Sequence, residues 1–150
     1  MLRPRRVLLP VLSWAAILLI SACGPAEGPP PVTLDRTACD HCGMLVSDMR
    51  TASALRTSDG TGRVFDDVGC MIEALQGMPE LPERIWVRDA GGDRWLDARE
   101  AVFTRSRKVL TPMGSGLLAW PDDSAVPAET MTLVFEDLLR EGTATTGGVR

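Results

Sequence analysis

The stretch "SDGTGRVFDDVGCMIEALQG" (Ser58–Gly77) decides the fold, because it predicts a turn, a strand and a capped helix in direct succession. Its Asp- and Gly-rich start is typical of a tight turn between antiparallel strands. Arg63–Phe65 is then the returning strand, and Asp66 or Asp67 caps a helix that ends at Gly77. The apolar residues of this helix recur at helical spacing: Val68, Met71, Ile72 and Leu75.

The segments on both sides of this stretch also alternate between strand and helix patterns. Met44–Thr57 is predicted to be extended before the turn, and Arg84–Asp89 is predicted to be a strand after the helix. Further strands are predicted at Ala101–Thr104, Val109–Leu110 and Gly114–Trp120. Pro127 marks the first turn of a final helix. The apolar stripe of that helix is Met131, Val134, Phe135, Leu138 and Leu139. This order predicts an α+β fold with two similar halves.

The N-terminal region has the pattern of an exported lipoprotein. Three arginines precede the apolar run Val7–Ile20, which at about 14 residues is shorter than the roughly 20 that a membrane-spanning helix needs. The sequence at its end, Ile20-Ser21-Ala22-Cys23, resembles a lipobox. Residues 1–22 are therefore predicted to be a lipoprotein signal peptide, with acyl chains on Cys23 anchoring the protein to a membrane. Ordinary cleavage after Ala22, without lipid, is the alternative.

The remaining chain divides by composition. Residues 23–31 form the lipidated cysteine and a proline-rich spacer, residues 32–140 form one compact domain, and residues 141–150 form a disordered tail. Removing residues 1–22 changes the formal net charge from −4 to −7, because three arginines and no acids are lost. A basic patch is absent from the sequence, which argues against nucleic acid as a partner.

Cysteine usage points to metal or redox chemistry. Besides Cys23, the sequence contains Cys39, Cys42 and Cys70, and an odd number leaves at least one thiol unpaired in an oxidising compartment. The pair in "CDHCGM" (Cys39–Met44) can be a redox couple, part of a zinc site with Cys70 and a carboxylate, or a grip on a softer metal. A redox couple is expected at the start of a helix that follows a strand, whereas this pair leads into an extended segment.

Three methionines stand beside the cysteines or in an exposed loop. Met44 follows Cys42 across a glycine, Met71 adjoins Cys70, and Met113 lies in the proline- and glycine-rich segment "TPMGSG". Core packing is the alternative interpretation for each of them, above all for Met71. A set of thiolates and thioethers selects Cu(I) over harder divalent ions. The sequence therefore predicts a Cu(I) site.

Three segments in this order behind a lipobox resemble the NosL family, the lipoprotein accessory proteins of nitrous-oxide reductase maturation. They are "CDHCGM", "FDDVGCM" (Phe65–Met71) and "TPMGSGLLAW" (Thr111–Trp120). The resemblance implies two small, similar ββαβ-type units packed together. It also implies a non-enzymatic copper chaperone that faces the periplasm and binds one Cu(I). By this likeness Cys42, Met44 and Met113 are ligands, with Cys39 and Cys70 as further candidates.

The resemblance also implies a partner. The ion would pass to a copper-receiving periplasmic protein, either nitrous-oxide reductase or its maturation complex. Two other classes of function stay open at this point. A periplasmic thiol–disulfide oxidoreductase would cycle Cys39 and Cys42 between dithiol and disulfide. A structural lipoprotein would bind no metal.

Overall fold

The computed structural model describes residues 27–141, which form seven strands and two helices. The strands are β1 (Ser53–Arg56), β2 (Gly62–Phe65), β3 (Arg84–Arg88), β4 (Trp95–Asp97), β5 (Val102–Arg105), β6 (Leu117–Trp120) and β7 (Thr132–Leu133). The helices are α1 (Val68–Gln76) and α2 (Phe135–Glu141), and short 3₁₀ turns occur at Met49–Thr51 and Asp123–Ala125. No helix of this described part is both long and apolar enough to cross a membrane.

The strands form two antiparallel sheets whose first three strands are arranged alike. The orders are β2-β1-β3-β4 and β6-β5-β7, so in each sheet the first strand lies between the second and the third. In the first unit, residues 53–97, α1 connects the second strand to the third. In the second unit, residues 102–141, a 3₁₀ turn takes that place and α2 follows the third strand. The predicted α+β fold with two small units is confirmed, and the second unit has the order β-β-β-α.

One hydrophobic core joins the two units. α1 buries Val68, Met71, Ile72 and Leu75, as its spacing predicts. α2 contributes Phe135, whose ring centroid lies 6.4 Å from that of Phe103 on β5. The sheets also meet through the backbone, since the N–H of Ala90 donates to the carbonyl of Ala119 at 2.9 Å. The end of β3 is thereby linked to β6.

The final helix starts later than the sequence predicts. It begins at Phe135, so Pro127 and Met131 lie outside it, and Met131 is 81% exposed. Glu129 has a φ of 63°, which a right-handed helix cannot contain. Thr132–Leu133 instead pair with β5, so sheet hydrogen bonds replace the predicted first helical turns.

Two predicted extended segments are also corrected. Val109–Leu110 is not a strand: the N–H of Val109 donates to Ser106 in a turn, and Leu110 is 92% exposed. Met44–Thr57 is interrupted by the 3₁₀ turn before β1. The predicted tail begins one residue inside α2, at Glu141, and its remainder lies outside the described residues. The predicted signal peptide and Cys23 also lie outside them, so these stay predictions.

Candidate metal centre

The segment "CDHCGM" folds into a tight turn. The N–H of Cys39 donates to the carbonyl of Met44 at 2.7 Å, and the N–H of Gly43 donates to the carbonyl of Cys39 at 3.0 Å. Ala38 and Leu45 then pair as an isolated antiparallel bridge. Gly43 has a φ of 78°, a left-handed conformation that glycine adopts without steric cost. Both cysteines of the pair are therefore held on one compact turn.

Asp40 fastens this turn to the middle of β2. Its N–H donates to the carbonyl of Val64 at 2.8 Å, and its Oδ2 accepts from the N–H of Val64 at 2.6 Å. β2 ends at Phe65, and Asp66 follows it, two residues after Val64. The clamp between Asp40 and Val64 thus places Cys39 and Cys42 beside the start of α1.

The start of α1 supplies the other two groups. Asp67 is the N-cap, and its carboxylate accepts the N–H of Gly69 at 2.7 Å. Cys70 consequently lies in the first turn of the helix, and Asp66 precedes the cap. Both residues are buried, at 2% and 0% exposure. The strand end and the helix start therefore turn one thiol and one carboxylate towards the interior.

Four side chains converge at this point: Cys39, Cys42, Asp66 and Cys70. One donor atom from each lies within 4.8 Å of all the others. The three cysteines are free thiols, and only Cys42 is partly exposed. Cys42 Sγ lies 3.7 Å from Asp66 Oδ1, whereas Asp66 Oδ2 has no hydrogen-bond partner within residues 27–141. A buried carboxylate oxygen without a partner, beside three sulfurs, fits a bound cation. We call these four residues the metal cluster.

The side chains of the metal cluster differ in pKa. The Cys70 thiol donates a hydrogen bond to Cys39, which lowers the pKa of Cys39 to about 4 and raises the pKa of Cys70. Burial raises the pKa of Cys42, and burial also raises the pKa of Asp66 to about 6. At neutral pH the cluster therefore contains a Cys39 thiolate, while the other two thiols keep their protons. Because a metal binds thiolates, binding would release those protons.

The three methionines named from the sequence lie in different surroundings. Met71 is fully buried in the core, which core packing by itself explains. Met44 and Met113 are about half-exposed. Met44 belongs to the turn that carries Cys42, and the N–H of Met113 donates to Asp67 at 3.0 Å. The structure thus brings Cys39, Cys42 and Cys70 together, and ligation by each methionine stays a prediction.

Asp67 connects the second unit to the metal cluster. Besides capping α1, its carboxylate accepts from the Thr111 hydroxyl at 2.6 Å, from the N–H of Met113 and from the Ser115 hydroxyl. The loop ends at Gly116, where an added Cβ would lie 2.3 Å from the carbonyl oxygen of Ser106. The loop "TPMGSG" is therefore held against Asp67, the residue next to Asp66 of the metal cluster.

His41, the one histidine of the sequence, is engaged on the outer side of α1. Its Nε2 lies 2.9 Å from Glu73 Oε2, and both side chains are partly exposed. It does not belong to the group of four whose donor atoms converge. The candidate ligands of the metal cluster are therefore three thiols and one carboxylate, without an imidazole.

Comparison with known proteins identifies the family. The family model described as NosL matches residues 31–132, more than half of the chain. This protein belongs to the NosL family. The resemblance of the three sequence segments is thereby confirmed. A search of the curated proteins finds no significant match.

A solved structure agrees with this NosL assignment at the level of the fold. It is the crystal structure of the copper chaperone NosL from Shewanella denitrificans, with 15% sequence identity and a TM-score of 0.67. The superposition covers 78% of this chain and 99% of that chain. At such low identity the likeness establishes the arrangement of the sheets and helices rather than the ligands.

Two residues of this NosL site were not identified from the sequence. The sequence predicts Asp66 only as a possible helix cap and predicts no role for Asp40. The signal for Asp66 is that two consecutive acids precede α1, although one N-cap is sufficient and Asp67 is the one that serves. The role of Asp40 has no local signal, because its partner Val64 is 24 residues away.

The glycine of the turn provides a test of how much the geometry matters. Gly43→Ala should cost about 1–2 kcal/mol of stability through its left-handed backbone, and should also weaken metal binding because the turn must distort. Gly60→Ala is the matched control. It has a similar φ of 85°, likewise has nothing within 4 Å of an added Cβ, and lies at the β1–β2 turn. Equal metal affinity in both variants, measured by chelator competition, would contradict a role for the turn geometry.

Proposed function

We propose that this NosL-family protein is a copper chaperone that binds one Cu(I) at the metal cluster and passes it to another protein. It is proposed to act as a carrier rather than as an enzyme. The observation that carries the proposal is the convergence of three free thiols, whose sulfur atoms lie within 4.8 Å of one another. The fold shared with a crystal structure described as a copper chaperone supports it.

Ligand exchange is the mechanism that this geometry favours. Cu(I) accepts soft ligands with little geometric demand, so a partner's sulfur can bind before one from this chain leaves. Cys42 is the one cluster thiol with appreciable exposure, so exchange would start there. Met44 lies two residues further on the same turn and is also exposed, so its neutral thioether can share the ion during transfer. Met113, held by Asp67, is proposed as a second thioether ligand.

The proposed location and recipient rest on the sequence and on the family. The lipobox-like segment before Cys23 supports a lipid anchor that holds the domain at a membrane, facing the periplasm. Confinement to that surface would raise the effective concentration of a membrane-associated partner. Membership of the NosL family supports nitrous-oxide reductase, or its maturation complex, as the recipient of the copper.

Anaerobic titration of the full-length protein with Cu(I) tests this function. One equivalent is expected to bind, and X-ray absorption should then count at least two sulfur neighbours. At a free ion concentration of about 1,000 times Kd, binding should stabilise the fold by about 4 kcal/mol and raise its thermal midpoint. An unchanged spectrum together with an unchanged thermal midpoint would contradict copper binding and would favour a structural lipoprotein that binds no metal.

Zinc is a second candidate, because three cysteines and one carboxylate can form a closed tetrahedral Zn²⁺ site. Asp66→Asn separates the two metals. The hard carboxylate matters to Zn²⁺ and little to Cu(I), so Zn²⁺ affinity should fall at least about 10-fold while Cu(I) affinity changes less. Asp123→Asn, an exposed acid in the 3₁₀ turn after β6, is the matched control. A larger loss of Cu(I) than of Zn²⁺ affinity would contradict the assignment.

A thiol–disulfide oxidoreductase is the alternative from a different class. The low pKa of Cys39 is the observation in its favour, since thiolates are the reactive form. However, the pair lies on a tight turn rather than at the start of a helix, and a third thiol, Cys70, lies within 4.8 Å of both. A reduction-potential titration decides: reversible two-electron cycling of Cys39 and Cys42 in a physiological range would support the enzyme and oppose the carrier.

A further inference from the structure

The proline-rich spacer is docked onto the domain. Arg56 bridges it to the β1–β2 turn, because its Nε donates to the carbonyl of Gly28 at 2.9 Å and its Nη1 donates to the carbonyl of Gly60 at 3.1 Å. Pro30 is buried against Gly62, where an added Cβ would lie 2.6 Å from the proline Cγ. The start of the described chain is therefore held in place at the tip of this hairpin.

The docked spacer and the metal cluster lie at opposite ends of the first unit. β2 starts at Gly62, beside Pro30, and runs to Asp66 in the metal cluster, a rise of about 13 Å at about 3.3 Å per residue. α1 returns in the other direction, starting next to Cys70. The loop that follows α1 lines the same open groove, of about 900 Å³, as the β1–β2 turn and Glu27. We call residues 27–30, 56–63 and 78–84 the tether end.

The chain length between Cys23 and the tether end is short. Four residues lie between Cys23 and Gly28, so the chain makes five Cα-to-Cα steps, and at no more than about 3.5 Å per step it spans at most about 17 Å. Acyl chains on Cys23 would lie in the bilayer, so the tether end could not move further than this from the membrane surface. A spacer that was not docked would add the length of residues 28–31 and let any face of the domain approach the lipid.

We propose that the tether end is the membrane-facing surface of the protein, so that the metal cluster points away from the bilayer. This inference rests on the lipid anchor of the proposed function. The groove at the tether end is lined by three arginines and four acids: Arg56, Arg63, Arg84, Glu27, Asp59, Glu80 and Glu83. Charges of both signs suit the zwitterionic headgroups of a phospholipid such as phosphatidylcholine, and give little attraction to an anionic surface.

An oriented domain has a functional consequence. The partly exposed Cys42 would face the aqueous compartment in every molecule, rather than in the fraction of time that free tumbling allows. A partner approaching along the membrane would then meet the same face of the protein each time. The docked spacer therefore acts as a positioning device for copper transfer.

Energy transfer from tryptophan to a dansyl-labelled headgroup tests this orientation. The lipidated full-length protein is placed on phosphatidylcholine vesicles, with Leu81→Trp reporting from the tether end and Leu110→Trp from the loop beside the metal cluster; both leucines are exposed. Transfer, measured as the increment over the unsubstituted protein, should be at least about twofold higher for Leu81→Trp, because Leu81 belongs to the tether end, which the proposal places against the bilayer, and Leu110 does not. Glu80→Trp and Lys108→Trp replace them if either fails to fold.

Releasing the spacer should abolish this difference. The double variant Arg56→Gln, Gly62→Val removes the hydrogen bond to Gly28 and fills the space that Pro30 occupies. Energy transfer from the two tryptophan reporters should then become equal. Arg84→Gln is the matched control: Arg84 pairs in register with Arg56, and among the described residues it makes no hydrogen bond to the spacer. If Cys23 is acylated and Leu81→Trp and Leu110→Trp show equal transfer while the spacer is intact, the proposed orientation is overturned and the anchor is not. Mass spectrometry showing Cys23 without lipid would overturn the anchor as well.

Discussion

Cys42→Ser should weaken Cu(I) binding by more than about 100-fold. Loss of groups that merely support a metal ligand already costs about 10–100-fold in affinity, and Cys42 is proposed to be a ligand itself. A serine hydroxyl is a hard donor that stays protonated at neutral pH, so it cannot replace a thiolate. Cys42 is only partly buried, so the variant should keep its fold. Competition with a chromogenic Cu(I) chelator measures the affinity.

The proposed thioether ligands should contribute less to Cu(I) affinity than the thiolate. Met113→Ala is expected to weaken Cu(I) binding by a smaller factor, since a neutral sulfur binds Cu(I) less tightly than a thiolate. Met131→Ala is the matched control, because this methionine is more exposed than Met113 and precedes β7. Unchanged affinity in both Cys42→Ser and Met113→Ala would remove the proposed site, whatever the control shows.

Asp67→Ala should lower the free energy of unfolding by at least about 3 kcal/mol, because several buried donors would lose their acceptor at a cost of about 1–3 kcal/mol each. The Asp67 carboxylate is fully buried and accepts four hydrogen bonds, two from backbone N–H groups and two from hydroxyls. The substitution removes the cap of α1 and releases the loop that carries Met113. Urea unfolding, followed by circular dichroism, gives the value.

Asp122→Ala separates this network from ordinary capping. Asp122 also caps a helical turn, accepting from the N–H groups of Ser124 and Ala125, but it is exposed and belongs to a 3₁₀ turn of three residues. Its loss should cost about 1 kcal/mol or less. If Asp67→Ala were no more destabilising than Asp122→Ala, the hydrogen bonds between Asp67 and the second unit would contribute nothing measurable to the free energy of unfolding.

The parts of the fold that follow local rules were predictable. Turn chemistry, capping and apolar spacing within Ser58–Gly77 gave the turn, β2, α1 and its end at Gly77, because each depends on near neighbours in sequence. β4 and the two-residue β7 were missed, since such short strands exist only through their partners. The start of α2 was placed too early for the same reason: Thr132–Leu133 pair with β5 across the sheet.

The metal cluster shows the same division. Its three thiols could be named from the sequence by elimination of Cys23. The choice of Cu(I), which rests on the softness of these thiols and of the methionines, stays a prediction. Their convergence could not be derived, because it depends on the contact between Asp40 and Val64. Nothing near Asp66 in the sequence distinguishes it from a helix cap. Only the folded structure reveals that one of its oxygens has no hydrogen-bond partner among the described residues.

From the closeness of Cys39, Cys42 and Cys70 we expect the unloaded protein to be sensitive to peroxide. Once Cys42, the thiol that solvent reaches, loses its proton, peroxide oxidises it to a sulfenic acid; attack by the Cys39 thiolate then forms the disulfide and releases hydroxide, which takes up a proton to give water. Two of the three sulfurs would be lost as ligands until a reductant restored them. The lifetime of the empty state, as much as affinity for the cargo, would then limit how often one molecule is reused.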